Sequence, residues 1–247
     1  MKTTVYLLKL FARWATLTFS LSLLLFLVAG TMRLPSLRNY LVTFSALLLA
    51  TMLGIDPGLA EERSRRSEGI GTPGRFAAGV SFLATLAVAA LEVGRFHSLR
   101  PVPVAMRGGG LILFVAAMAL EMWAMIANPF FSPDIRLQSD RGHRLITCGP
   151  YRAIRHPGYL AMLVAVPASA LAIGSWLALA PAVAFCLVIL KRVGAEEEFL
   201  QQNLAGYGEY MGQVRDRLFP RMIFCRHLHP ELVSSNSASQ SPDRRRL

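Results

Sequence analysis

Charged residues are scarce in this sequence, and acidic residues are the scarcer kind. Only 17% of the 247 residues are charged, with 15 acidic side chains against 26 lysines and arginines, while 53% are apolar. The mean hydropathy of +0.43 is too high for an ordinary soluble domain. The shortage of charge therefore excludes a soluble globular protein and predicts an integral membrane protein.

Cysteine is also scarce. Cys148, Cys186 and Cys225 are odd in number and far apart, which excludes a disulfide framework. Cys225 lies close to His227 and His229, but no second cluster completes a set of four ligands, so we assign no metal. The sequence has no evident internal repeat, and its length suits one membrane domain with a short appendage.

Long runs with little charge predict an all-α, polytopic membrane protein with about six spans. A helix needs about 20 apolar residues to cross the hydrocarbon, and a fifth run, 159–190, is long enough to fold back as a helical hairpin. The first run is longer than the apolar part of a signal peptide, so we interpret it as a retained span. The four single spans are Trp14–Gly30, Tyr40–Ile55, Phe76–Val93 and Gly109–Phe131.

Membrane topology explains most of the net charge of +11. Lys and Arg favour cytoplasmic loops, and here they concentrate before the first span, in 61–75, in 132–158 and after Leu190. Both termini are therefore predicted to be cytoplasmic, in the inner membrane if the source is bacterial. Anionic membrane lipids suit the excess positive charge, which makes a nucleic-acid partner unnecessary.

The chain divides into three predicted regions. Residues 1–131 form about four N-terminal transmembrane helices, and residues 132–220 form a core of cytoplasmic loop, helical hairpin and C-terminal segment. Residues 221–247 are rich in serine and are predicted to be disordered. The polar loop 132–158 is the first candidate for function, because loops of that length in compact domains are often functional.

The stretch GPYRAIRHPGYL (149–160) lies at the start of the hairpin. Arg155 and His156 precede Pro157, and the N–H groups of the first helical turn would face the loop beside them. This is a plausible site for a carboxylate or phosphate. Alternatively, Arg152 and Arg155 anchor the helix at the lipid headgroups and Pro157 only starts it.

Two further patterns follow the hairpin. In KRVGAEEEFL, Arg192 and Glu196 share a helix face and can pair, or the acids merely complement the positive end of the helix. Tyr207 and Tyr210, three residues apart, either pack on the membrane surface or cover a planar ligand. Together the three patterns predict a cytoplasmic site for a ligand that carries both charges and a planar ring.

In this order and spacing, GPYRAIRHPGY, R-x-x-x-E-E-x-x-L, Y-x-x-Y and RDRLFP resemble the isoprenylcysteine carboxyl methyltransferase and phospholipid methyltransferase superfamily over about Asn128–Pro220. The resemblance implies S-adenosylmethionine as methyl donor, bound between the last hairpin and the C-terminal segment, and a lipophilic acceptor that enters from the bilayer. Asn203-Leu204 stands where Phe-Gly is common in the family.

The resemblance implies cofactor-binding residues, and the chemistry of single residues adds candidates for catalysis. His156 and Glu121 are the candidates for catalysis, Glu121 because an ionisable group near the middle of a span is costly and often functional. Glu92, near the outer end of its span, is expected to be exposed at the interface. His143 either covers the cofactor or caps local structure. The cofactor-binding residues are Tyr151, Arg155, His156, Pro157, Tyr159, Leu160, Arg192, Glu196 and Glu197.

The acceptor and two other classes of protein stay open. The acceptor could be an isoprenylcysteine carboxylate, a phospholipid amine or a small lipophilic molecule. A membrane reductase of the sterol-reductase type, which uses a nicotinamide cofactor, also carries R-H-P, but it reads R-H-P-N-Y, whereas Gly158 replaces the Asn here. A small transporter is suggested by Glu121 and the proline-interrupted hairpin, although the inverted hydropathy symmetry that it predicts is not visible.

Overall fold

The structure is a computed structural model and describes residues 2–64, 72–96 and 100–220. This part of the chain contains helices and no β-strand, so the predicted all-α class is confirmed. The predicted disordered tail lies outside the described residues. The helices are α1 (Lys2–Ala29), α2 (Pro35–Gly54), α3 (Pro57–Ser64), α4 (Thr72–Leu91), α5 (Val104–Ala127), α6 (Pro157–Ile173), α7 (Leu179–Asn203) and α8 (Tyr207–Gln213).

Four of these helices, α1, α2, α4 and α5, are long and apolar enough to cross a membrane. Helix α4 is extended by a π-helical turn, Glu92–Phe96. The four helices coincide with the four single spans predicted from the sequence. The predicted hairpin is present as α6 and α7, but α6 has only 17 residues and the second half of α7 is polar. The hairpin is therefore not a pair of full-length spans by length and composition.

The turn between α6 and α7 is built by Gly174 and Ser175. Gly174 adopts a left-handed conformation with φ of 107°, which ends α6, and the N–H groups of both residues donate to Ala170 O at 3.1 and 2.9 Å. The Ser175 hydroxyl oxygen accepts the Ala178 N–H at 3.0 Å as α7 begins. The turn thus supplies hydrogen-bond partners for several of its own backbone N–H groups, which an apolar environment requires.

Glu92 completes that turn. Its side chain is buried, and one carboxylate oxygen accepts hydrogen bonds from the Ser175 hydroxyl and, at 3.0 Å, from the Leu177 N–H. The expectation that Glu92 is exposed at the membrane interface is therefore wrong. The reason is that the α6–α7 turn presents donors that need an acceptor, and the π-helical turn brings this carboxylate to them.

The core forms where α5 packs against α6 and α2. Gly110 allows the closest approach, because a Cβ there would lie 2.8 Å from Ala172 N. From α2, the Tyr40 hydroxyl meets Ser169 Oγ at 3.1 Å and the Tyr40 ring packs on Phe114 with centroids 5.0 Å apart. Helix α4 packs on α7. This arrangement brings the polar ends of α4, α5, α6 and α7 together beneath the loop 128–156.

Candidate active site

A cavity of about 410 Å³ lies where α4 to α7 meet the loop that joins α5 to α6. Its volume is typical of small-molecule sites, which span roughly 300 to 1,000 Å³. One end is polar and includes Asp134, Arg155, His156, Arg192, Glu196 and Tyr207. The other end extends between the membrane helices and is lined by Phe44, Phe82, Phe114, Met118, Met162 and Phe185. The cavity therefore offers both polar groups and apolar walls to a ligand.

The start of α6 is joined to a segment near the C-terminus, residues 214–217, which we call the C-terminal strap. Arg155 N–H donates to Asp216 O at 3.0 Å and His156 N–H donates to Arg217 O at 3.1 Å. The Arg155 guanidinium donates from one nitrogen to Val214 O at 2.7 Å and to Arg215 O at 2.8 Å. The strap is therefore attached to the start of α6, and Arg155 fixes its position.

Glu197 holds both arginines of this junction. One carboxylate oxygen lies 2.6 Å from the Arg155 guanidinium, and the other lies 2.6 Å from Arg217 Nε. The Arg155 and Glu197 side chains are both buried, whereas Arg217 is half-exposed. The Arg155 donors are thus largely engaged by Glu197 and by strap carbonyls, and the predicted contact of Arg155 with a cofactor carboxylate stays a prediction.

His156 is buried in the cavity wall and carries no charge near neutral pH. Burial lowers its pKa to about 3, and the positive charges of Arg217 and Arg155 act in the same direction. Its Nε2 lies 3.4 Å from the Tyr207 hydroxyl and 3.9 Å from a Glu197 oxygen. The imidazole can therefore exchange a hydrogen bond with Tyr207, but it is a weak base.

Glu196 lies one turn beyond Arg192 on α7 and faces the cavity. The Tyr159 hydroxyl donates to one of its carboxylate oxygens at 2.5 Å, which joins the two helices of the hairpin. Burial raises the pKa of the Glu196 carboxyl, against the opposing effects of the Tyr159 hydrogen bond and the Arg192 charge. Arg192 donates to Pro133 O at 2.6 Å, which ties the α5–α6 loop to α7.

The two tyrosines of α8 face the cavity and not the membrane. Both are buried, with ring centroids 5.8 Å apart, and the Tyr210 hydroxyl donates to Tyr151 O at 2.7 Å. The interpretation that they pack on the membrane surface is therefore wrong. Gly206, with φ of 79°, starts α8 in a left-handed conformation and turns it back over the loop, which places both rings on the wall.

The α5–α6 loop contributes cavity residues that the sequence patterns did not single out. Asp134 is buried and pairs with Arg75 of α4 at 2.8 Å. Phe130 stacks on His143 with centroids 4.6 Å apart, and His143 Nδ1 accepts the Gln138 N–H at 3.2 Å. His143 thus both lines the cavity and braces the loop. Asp134 and Phe130 lie within the stretch that resembles the family, about Asn128–Pro220, but the sequence alone assigned neither of them a role.

Seven of the nine residues expected to bind the cofactor reach the cavity wall, and so does Glu121, which lies toward its apolar end. Glu197 lies behind Arg155, and Leu160 packs in an apolar cluster with residues of α7. Within the described residues, no group of three His, Cys, Asp or Glu side chains is placed to hold a metal, and Cys225, His227 and His229 lie outside them.

Comparison with known proteins identifies the same region. Residues 110–202 match the model of the isoprenylcysteine carboxyl methyltransferase family. Two rice proteins, from Oryza sativa subsp. indica and subsp. japonica, each bear the name "Probable protein-S-isoprenylcysteine O-methyltransferase" and are 34% identical to this chain over 118 residues. The aligned region covers 44% of this chain and 59% of each rice protein, so the chain spans only part of their length. The resemblance found in the motifs is confirmed.

Proposed function

We propose that this chain, whose residues 110–202 match the model of the isoprenylcysteine carboxyl methyltransferase family, is an integral membrane methyltransferase that uses S-adenosylmethionine and methylates a lipophilic acceptor. One observation carries the proposal. The R-H-P-x-Y and R-x-x-x-E-E elements are more than 30 residues apart in sequence, yet Tyr159 and Glu196 are hydrogen-bonded on the wall of one cavity. The names of the rice proteins support a carboxyl acceptor on a prenylated cysteine.

The polar end of the cavity suits the chemical groups of S-adenosylmethionine. The ribose hydroxyls and the ammonium need acceptors, which Glu196 and Asp134 supply. The adenine needs flat apolar walls, which Tyr207, Tyr210 and Phe130 supply. When bound, this group supplies a methyl on a sulfonium, which a nucleophile displaces in line. The residues of this chain would position the two ligands and exclude water.

The apolar end of the cavity suits the acceptor. Phe114 and Met118 of α5 and Phe82 of α4 line it, and these helices belong to the membrane-spanning set. A prenyl chain can therefore lie between the helices while its polar end approaches the cofactor region. Glu121 lines the cavity on the same helix as Phe114 and Met118, and it is our candidate for a contact with the acceptor.

The two histidines of the cavity wall favour a carboxylate acceptor over an amine. A carboxylate is ionised near pH 7 and needs no general base, whereas an ammonium must first lose a proton. Burial is the main cause of lowered pKa values in both histidines of the cavity wall, His143 and His156, so neither is suited to accept that proton near pH 7. O-methylation of an isoprenylcysteine is therefore our first choice, ahead of N-methylation of a phospholipid.

The first test measures cofactor binding. S-adenosylhomocysteine, the demethylated product, is titrated calorimetrically into detergent-solubilised wild type, Glu196→Gln and the matched variant Glu198→Gln. Glu198 is exposed and lies two positions after Glu196 on α7. We expect saturable binding to the wild type and to Glu198→Gln, and at least about tenfold weaker binding to Glu196→Gln. A folded wild-type protein that does not bind this ligand would refute the proposal.

The second test identifies the acceptor. Membranes that contain the protein are incubated with methyl-labelled S-adenosylmethionine and either S-farnesylcysteine with a free carboxylate or its carboxamide. We expect labelling of the free acid only, as a methyl ester that alkali hydrolyses. Label in phosphatidylethanolamine that survives alkaline treatment as an N-methyl amine would instead assign the phospholipid reaction.

A further inference from the structure

Asp134 is an acidic group of the cavity wall to which the resemblance assigned no role. Its side chain is only 2% exposed, and one oxygen, Oδ2, accepts a hydrogen bond from Arg75 at 2.8 Å. The other oxygen, Oδ1, is buried and has no hydrogen-bond partner. Buried carboxylate oxygens are almost always hydrogen-bonded, so an oxygen without a partner at a cavity indicates a donor on the ligand.

The backbone holds this oxygen in a fixed place. Asp134 N–H donates to Ser132 Oγ at 3.2 Å, and Pro133 O, in the same turn, accepts the Arg192 guanidinium at 2.6 Å. The turn 132–134 is therefore attached to α7 by Arg192 and to α4 by Arg75. Such attachment is what a binding residue on a loop needs, because a group held before the ligand arrives loses little conformational freedom on binding.

Arg75 adds the opposite charge beside Asp134. Its guanidinium has five N–H donors, of which the bond to Asp134 uses one, and its side chain is 44% exposed. Arg75 also lines the cavity. A carboxylate and a guanidinium side by side are complementary to a group that carries an ammonium and a carboxylate on one carbon, which is the α-amino acid end of S-adenosylmethionine.

We propose that Asp134 and Arg75 bind the amino-acid end of the methyl donor, with Asp134 Oδ1 accepting a hydrogen bond from the ammonium and the Arg75 guanidinium binding the carboxylate. The inference rests on the proposed function, because it assumes this methyl donor. It assigns Arg75, in the first turns of the third spanning helix, to the cofactor site, although the family match begins only at residue 110.

The test combines variants with ligands that lack one group each. The ligands are S-adenosylhomocysteine, its deaminated analogue without the ammonium, and its decarboxylated analogue without the carboxylate. The proteins are wild type, Asp134→Asn, Arg75→Gln and the control Asp140→Asn, which alters an exposed acid on the same loop. Binding is measured calorimetrically and folding by thermal unfolding, in detergent, for every combination.

We expect Asp134→Asn to bind S-adenosylhomocysteine at least about tenfold more weakly than wild type, a loss of about 1.4 kcal/mol, but the deaminated analogue within about twofold of wild type. Arg75→Gln should show the same pattern with the decarboxylated analogue. Asp140→Asn should match wild type throughout. This pattern assigns each side chain to one group of the ligand, since a loss of affinity that depends on the ammonium cannot arise from a general disturbance of the loop.

Several outcomes would overturn the inference. Equal losses for intact and deaminated ligands would show that Asp134 only shapes the loop, and no loss would show that it is not at the ligand. If Asp134→Asn does not fold, the wild-type protein still tests the proposal. Equal wild-type affinities for the intact and the deaminated ligand would contradict it. Failure of the wild type to bind any of the three ligands would refute the proposed function as well, and that result is distinct from binding without discrimination.

Discussion

Replacement of Glu197 should destabilise the protein more than replacement of any exposed acid nearby. Its carboxylate lies 2.6 Å from the guanidinium groups of both Arg155 and Arg217. Of these two arginine side chains, only that of Arg155 is buried like the Glu197 side chain. Removal of one partner of a buried pair costs about 3 to 5 kcal/mol, because the other charge stays buried without compensation. The half-exposed Arg217 adds less than about 1 kcal/mol, since water screens it. We therefore expect Glu197→Gln to lower the free energy of unfolding by about 3 kcal/mol.

The assay is unfolding of the detergent-solubilised protein by denaturant titration, with Glu198→Gln as the matched control. Surface substitutions usually change stability by less than about 0.5 kcal/mol, so the control should resemble wild type. A combined Arg155→Met, Glu197→Leu variant should recover much of the loss, because it leaves no buried charge unpaired. A Glu197→Gln variant as stable as the control would contradict this prediction, and so would a combined variant whose loss of stability equals the sum of the two single losses.

Three further predictions concern pH and packing. The pKa of His156 is about 3 when folded and about 6.5 when unfolded, so only the unfolded state takes up its proton between these values. The free energy of unfolding should thus fall as pH drops from about 6.5 towards 3, by up to about 1.4 kcal/mol per pH unit. Thermal unfolding between pH 7 and 5 should show a smaller fall for His156→Gln than for wild type, and equal falls would contradict this prediction. Gly110→Ala, whose Cβ would lie 2.8 Å from Ala172 N, should lose about 1 to 3 kcal/mol, whereas Gly109→Ala, with open space around it, should not; equal melting temperatures would contradict this. A Cβ at Gly158 would lie 2.5 Å from the Phe131 ring on the cavity wall, so Gly158→Ala should weaken binding of S-adenosylhomocysteine, and unchanged affinity in a titration would exclude this crowding.

The fold was predictable because the membrane restricts the choices. A run of about 20 apolar residues must satisfy its backbone internally, and a single run does so only as a helix. The predicted spans therefore coincide with helices even where their ends differ, as for Trp14–Gly30, which belongs to a helix that begins at Lys2. Glu92 was wrongly placed because its partners, in the α6–α7 turn, are more than 80 residues away in sequence.

The candidate site was predictable only where a pattern repeats that of a known family. The R-H-P-x-Y and R-x-x-x-E-E elements indicated one wall of the cavity, and both elements contribute residues to it, although Glu197 lies behind Arg155. Asp134 and Arg75 were not singled out, because the two residues are 59 positions apart and no pattern in the sequence links them. Their proximity follows from the packing of α4 on α7 and from the turn 132–134, which no local signal in the sequence specifies.

The position of Arg155 shows why a motif residue cannot be assigned to the ligand from its sequence alone. Its guanidinium bonds to Glu197, to Val214 O and to Arg215 O, so it holds the C-terminal strap as well as lining the cavity. Substitution of Arg155 would thus displace the strap and unpair a buried carboxylate, and it would weaken any ligand of this cavity. Loss of activity in such a variant therefore cannot show that Arg155 binds the methyl donor. Ligand analogues that lack one charged group can show which side chain binds which group, because they change the ligand and leave the junction of Arg155, Glu197 and the strap intact.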